Sequence, residues 1–218
     1  MSRAVIGSLI FLFIQNAAAA NVLAIAANKL NEATSSKMAV KKTVFNAFTE
    51  ETKSYEGEIQ VSHKSLRLDY AKPEKSMILV GETEIWVVNY DAGSANKISQ
   101  ILHVQAKKNK AHQLLLTLLG GDGLMKKFKV LKKTDGVKQS TFNLRPTMTI
   151  DEIEKIEVLI DTEKEDIKKI TYWDESENKT EYELSEITYN SGKVNQKIFQ
   201  FKPPKGAKVE ELTDTESK

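Results

Sequence analysis

The chain has no cysteine, which excludes a thiol nucleophile, a thiolate zinc site and a disulfide framework. The same absence removes any lipid-modified cysteine at an export cleavage site. Proline and glycine are sparse, 4 and 10 in 218 residues, so neither a collagen-like nor a low-complexity segment is present. No charge of one sign dominates: 32 basic residues stand against 30 acidic ones, interleaved along the chain, for a net charge of +2. The basic stripe that tracks a phosphate backbone is missing, so nucleic acid is not an expected partner. His63, His103 and His112 show no H-E-x-x-H or H-x-x-E-H spacing. The acidic stretch from Asp174 has Lys179 where a calcium loop needs glycine and Ser185 where it needs a bidentate glutamate. No metal and no cofactor are expected. Gly120-Gly121-Asp122-Gly123 lacks the Lys-Ser/Thr ending of a P-loop, and no G-x-S-x-G elbow occurs, so the chain is not expected to be an enzyme.

What is present begins with an export signal. Arg3 supplies a positive start, Ala4 to Ile14 an apolar stretch, and Ala17 to Ala20 small-residue cleavage sites, which predicts a cleaved signal over 1–20. The competing reading is an uncleaved anchor, but Gln15, Asn16 and Asn21 interrupt the apolar run. Val22, Leu23, Ile25, Ala26 and Leu30 then recur at helical spacing over 21–33. From Met38 the period changes to two. Val40, Val44 and Phe48 fall in phase with Lys42, and short alternating segments follow at 58–61, 66–70, 77–80, 85–88 and 97–104. Turn-rich stretches such as Tyr90-Asp91-Ala92-Gly93 separate them. Further strands are predicted at 128–132, 141–144, 155–160, 169–173, 180–189 and 197–202. Within 180–189 the apolar phase flips after Leu184, which predicts a bulge at Ser185-Glu186.

The middle is different. Ala111 to Leu119 reads AHQLLLTLL, too leucine-rich for a strand and too short to span a membrane, and it stops at Gly120-Gly121. Leu124 to Phe128 suggests another helical turn. No linker divides the chain, so the expectation is one mainly β (α+β) domain over 21–209, with a flexible acidic tail over 210–218. A curved antiparallel sheet of about eleven strands has a concave face too wide for its own side chains to fill. Helices or an apolar ligand must cover it.

The ending Phe199-Gln-Phe201-Lys-Pro203-Pro204-Lys-Gly206-Ala-Lys-Val209 resembles the F-x-F-x-P-P-x-G-x-x-V ending of the outer-membrane lipoprotein carrier (LolA) family. Gly57-Glu-Ile-Gln-Val61 is similar to the family's G-[DE]-[LI]-x-V strand, and Leu66-Arg-Leu-Asp-Tyr70 with Pro73 to its F-R-W-x-Y-x-x-P segment. Ile85-Trp86, Leu114-Leu115 to Gly120, and Leu144-Arg-Pro146 follow in the family's order. The resemblance implies an open, incomplete antiparallel β-barrel of about eleven strands, with a lid of short α-helices over an apolar cavity. It also implies a periplasmic carrier that takes up the acyl chains of lipoproteins. The implied partners are the acylated lipoproteins as cargo, an inner-membrane ABC-type lipoprotein-releasing complex and an outer-membrane lipoprotein receptor, with the carrier itself a monomer. One departure concerns the family's Arg-Pro, whose arginine holds the lid closed. Here the stretch reads Ser62-His63-Lys64-Ser65, leaving His63 or Lys64 as substitute donors.

Candidates for the acyl-chain cavity are Val44, Phe48, Ile59, Val61, Leu68, Tyr70, Trp86, Phe142, Ile156, Val158, Ile170, Tyr172 and Leu184. Alternation gives two faces per strand without saying which lies inside. Leu114, Leu115, Leu118, Leu119 and Leu124 are the expected inward contacts of the lid. Two other readings use the same residues: a lipid-binding sensor or regulator on this fold, and a carrier of another lipid.

Overall fold

A computed structural model describes residues 11–62, 64–105, 110–120, 123–147, 153–190 and 192–212. After helix α1 (Phe11–Glu32) come six strands, β1 (Ser35–Phe45), β2 (Thr52–Ser62), β3 (Ser65–Lys72), β4 (Ser76–Val80), β5 (Glu84–Asp91) and β6 (Ser94–Gln105). Two helices, α2 (Lys110–Leu119) and α3 (Leu124–Lys127), lead to β7 (Phe128–Gly136), β8 (Gln139–Pro146), β9 (Lys155–Asp161), β10 (Asp166–Trp173) and β11 (Lys179–Asn190). A short 3-10 helix at Gln196–Phe199 and β12 (Glu210–Leu212) are the last elements among the described residues.

All strands join one 12-stranded open sheet in the order β12-β6-β5-β4-β3-β2-β1-β11-β10-β9-β8-β7. Hairpins build each half, and β1 stitches the halves together by pairing with both β2 and β11. The α2–α3 connection therefore runs between strands at opposite margins of the sheet, which lays it across the opening. Curvature has local causes. Opposite Lys37 to Ala39, β11 advances from Thr188 to Ser185, one residue too many, and Glu186 takes φ 52°. This is the bulge that the phase flip predicts, and it bends the strand. At Gly57 the sheet closes tightly, since a Cβ there would lie 2.1 Å from the Asp69 carbonyl oxygen.

One core fills the concave side. Along β1 the inward positions Ser36, Met38 and Val40 are buried, whereas Lys42 and Val44 are half-buried, so the interior is deepest at Met38–Val40 and opens toward Phe45. Helix α1 adds Leu23, Ala26, Ala27 and Leu30, an i, i+3, i+4, i+7 stripe. Its Lys29 ammonium pairs with Asp166 at 2.8 Å, and the Tyr189 hydroxyl donates to the same carboxylate at 2.8 Å. The helix predicted over 21–33 extends back to Phe11, into the segment predicted as a signal; residues 1–10 lie outside the described residues.

Two further expectations change. The alternating segment 197–202 is not a strand. Glu210–Leu212 pairs parallel to Leu102–Val104 of β6, and 197–202 joins no strand. Instead it crosses the outer face, where Arg67 Nη1 donates to the Ile198 carbonyl at 3.0 Å and Phe201 packs on Trp86. The tail predicted from Glu210 is correspondingly ordered at its first three residues by β12; residues 213–218 lie outside the described residues.

Candidate functional site

The concave core combines lid, sheet and N-terminal helix. Leu114, Leu115 and Leu118 are 0% exposed, Leu119 2% and Leu124 1%. They pack in one cluster with Ile59, Val61, Leu68, Tyr70, Phe142, Ile156, Val158, Ile170 and Leu184, and Tyr172 packs against it half-buried. The space under the lid is thus filled by the lid's own leucines. Two tight contacts set how the helices turn. A Cβ at Gly120 would lie 2.4 Å from the Leu116 carbonyl oxygen, and one at Gly123 2.4 Å from Thr117 Cγ2.

Three candidates fall elsewhere. Phe48 lies beyond the end of β1, in the turn held by Asn46, and is 96% exposed. Val44 is half-buried near the open end and outside the packed cluster. Trp86 faces outward. It stacks on His103 at 4.1 Å and belongs to a second cluster with Met77, Leu79, Val88 and Phe201. Strand β4 reads Met-Ile-Leu-Val without alternation, the pattern of a strand covered on both faces, and the C-terminal segment provides that second cover. His63 lies outside the described residues. Lys64 is exposed and pairs with Glu82 at 3.4 Å on the surface.

The interior has a polar corner. Tyr70 of β3, Tyr55 of β2, Lys42 of β1, Tyr182 of β11 and Tyr172 of β10 come from five adjacent strands. Register places Lys42 opposite both Tyr55 and Tyr182, and its ammonium lies 5.6 Å from each ring centroid. Tyr55 and Tyr70 are 5.5 Å apart, Tyr172 and Tyr182 6.4 Å. Burial lowers the Lys42 ammonium below its ordinary pKa and raises the phenols of Tyr70, Tyr172 and Tyr182. The buried Tyr70 hydroxyl makes no hydrogen bond of normal geometry. The signal in the sequence is Lys42 itself, a charge in phase with the apolar face of Val40 and Val44.

Among the described residues no group of acidic or histidine side chains is arranged to hold a metal, and no helix is long and apolar enough to cross a membrane. A family model described as "Outer membrane lipoprotein carrier protein LolA" matches residues 31–202. A search of curated proteins finds no match. Among solved structures, a LolA superfamily protein from Nitrosomonas europaea is 10% identical, with 84% of this chain and 97% of that one covered and a TM-score of 0.47. A conserved protein from Thermus thermophilus is 12% identical, covering 89% and 99%, with a TM-score of 0.49. An outer membrane lipoprotein-sorting protein domain from Vibrio parahaemolyticus is 14% identical, covering 83% and 99%, with a TM-score of 0.40.

Proposed function

The chain belongs to the outer membrane lipoprotein carrier family, and from that premise we propose that it is a periplasmic carrier that shields the acyl chains of lipoproteins in transit between membranes. The observation that carries this reading is the lid: leucines 114, 115, 118, 119 and 124 are buried against the concave face of an open sheet. An open apolar trough would aggregate if left uncovered. A lid of leucines covers it in the empty protein and has the chemistry of the cargo it gives way to.

Magnitudes support exchange rather than permanent capture. Five buried leucines at about 2 kcal/mol each amount to about 10 kcal/mol. One sixteen-carbon chain at about 0.8 kcal/mol per CH₂ amounts to about 12 kcal/mol. The two are comparable, so a displaced lid returns most of what the cargo gains, and the cargo can be released. The buried stripe Leu23, Ala26, Ala27 and Leu30 lies beyond the predicted cleavage at Ala20, so cleavage leaves that part of the core in place. The proposed partners are an ABC-type releasing complex in the inner membrane and an outer-membrane receptor, with no catalytic step.

Native mass spectrometry of the protein, purified gently from a periplasmic extract, tests the reading. The expected result is an adduct with the mass of an intact acylated lipoprotein. Free lipid alone, or no adduct under conditions that preserve a known carrier complex, would overturn it in favour of a lipid sensor or a carrier of other lipids.

A further inference from the structure

Lys42 is a cation on the wrong side of its strand. Its inward neighbours on β1, Met38 and Val40, are buried to 1% and 4% exposure, and it continues their row. Among the described residues no carboxylate forms an ion pair with it; its neighbours are the faces of Tyr55 and Tyr182. Aromatic faces stabilise a cation but accept no hydrogen bond of ordinary strength. The ammonium therefore keeps donors to spare at the half-buried, open end of an otherwise apolar interior. The buried Tyr70 hydroxyl beside this cluster makes no hydrogen bond of normal geometry. A corner that holds a cation without a paired carboxylate is complementary to a ligand that brings oxygen acceptors.

We propose that Lys42, framed by Tyr55, Tyr70 and Tyr182, is the site that takes the oxygen-bearing head of a bound acyl chain. This rests on the acyl-carrier reading and adds to it a polarity of insertion. The hydrocarbon lies deep, along Val40, Ile59 and Leu184, all at most 5% exposed, and the head stays at the open end. Two heads share the chemistry: the carboxylate of a free fatty acid and the ester carbonyls of a diacylglyceryl group. Both present oxygen acceptors at the end of a saturated chain, and the ammonium serves either.

Displacement of N-phenyl-1-naphthylamine, a neutral apolar dye, by palmitate or by dipalmitoylglycerol tests the assignment in wild type, Lys42→Met and Lys42→Arg. Methionine keeps the length and removes the charge, so K42M is expected to fold, which far-UV circular dichroism checks. The expected result is dye affinity within twofold of wild type for both variants. K42M should lose tenfold or more for the ligand whose head is held, and K42R should retain most of it. A loss for palmitate alone identifies a carboxylate site, and a loss for dipalmitoylglycerol identifies an ester site. If both ligands bind wild type and K42M equally, the head-group assignment falls while the carrier reading stands. If K42M weakens the dye as much as the ligands, Lys42 only shapes the interior and the assignment falls as well. If wild type binds neither ligand nor dye, both readings are overturned together.

Discussion

A methyl group at position 57 would meet the Asp69 carbonyl at 2.1 Å, backbone against backbone, with no flexible side chain to yield. Gly57→Ala is therefore expected to cost about 2–3 kcal/mol, read as a lower urea midpoint at unchanged slope. A loss under about 0.5 kcal/mol would show that β2 and β3 can separate freely there. Lys42 carries a different kind of cost. Burial lowers its pKa in the folded protein, so below the ordinary value of 10.5 the unfolded chain binds more protons at this position. Stability should then rise as pH climbs from the lowered value toward about 10, and K42M should be the more stable protein at neutral pH and lack that rise. Above about 10 the sign reverses. The buried phenols of Tyr70, Tyr172 and Tyr182 stay protonated in the fold while those of the unfolded chain ionise, and both proteins lose stability. Urea melts at pH 7, 8, 9, 10 and 11 separate these effects; a K42M curve parallel to wild type all the way from pH 7 to 10 would refute the lysine part. At this scale alternation reveals which residues share a face, as with Ile59 and Val61 or Ile156 and Val158, but not which face is covered. Trp86 is the instructive case: it lies outward because the C-terminal segment supplies an apolar cover there, a long-range contact that period-two spacing does not encode.

Elements were legible in proportion to how far local chemistry decides them. The helix read over Ala111–Leu119 appears as Lys110–Leu119, since leucine content and the following glycines act within one segment. The bulge at Glu186 was equally visible, as a change of phase. The segment 197–202 alternates like a strand, yet its partners are Arg67 and Trp86 on the outer face and not a neighbouring strand, a long-range outcome that alternation does not encode. The lid's separateness from the sheet is testable in the same terms. Leu118 is 0% exposed, so Leu118→Asp buries a carboxylate without a partner unless α2 lifts away. The expected outcome is a several-fold rise in binding of N-phenyl-1-naphthylamine to the empty protein with the far-UV β signal retained. Loss of both together would show that Leu118 belongs to the global core and not to a detachable cover.

The whole molecule is an open sheet with two margins, and these are managed differently. One margin is closed by β12, whose Glu211 accepts from or pairs with the ring of His103 at 2.8 Å while Glu84 approaches the other ring nitrogen at 3.2 Å. The other margin, β7, has no strand on its outer side among the described residues and leaves Val130 and Leu131 at 42% and 58% exposure. Lysines guard it: Lys129 and Lys132 on the strand, with Lys126 and Lys127 on the adjoining lid helix, are all exposed. Such a row discourages edge-to-edge pairing. It also sets a positive field beside the lid, the surface a carrier would present to a partner when loading or unloading. Net charge is only +2, so any attraction must come from this local arrangement and not from the molecule as a whole. Charge exchange distinguishes the two roles. Replacing Lys126, Lys127, Lys129 and Lys132 with glutamate should lower the association rate with a purified releasing complex by tenfold or more at about 20 mM salt. At about 300 mM, where the screening length falls to a few ångströms, the effect should shrink to about twofold. The variant should keep the oligomeric state of wild type in light scattering, because glutamates guard the edge as well as lysines do. Equal slowing at both salt concentrations would leave these lysines with edge protection alone.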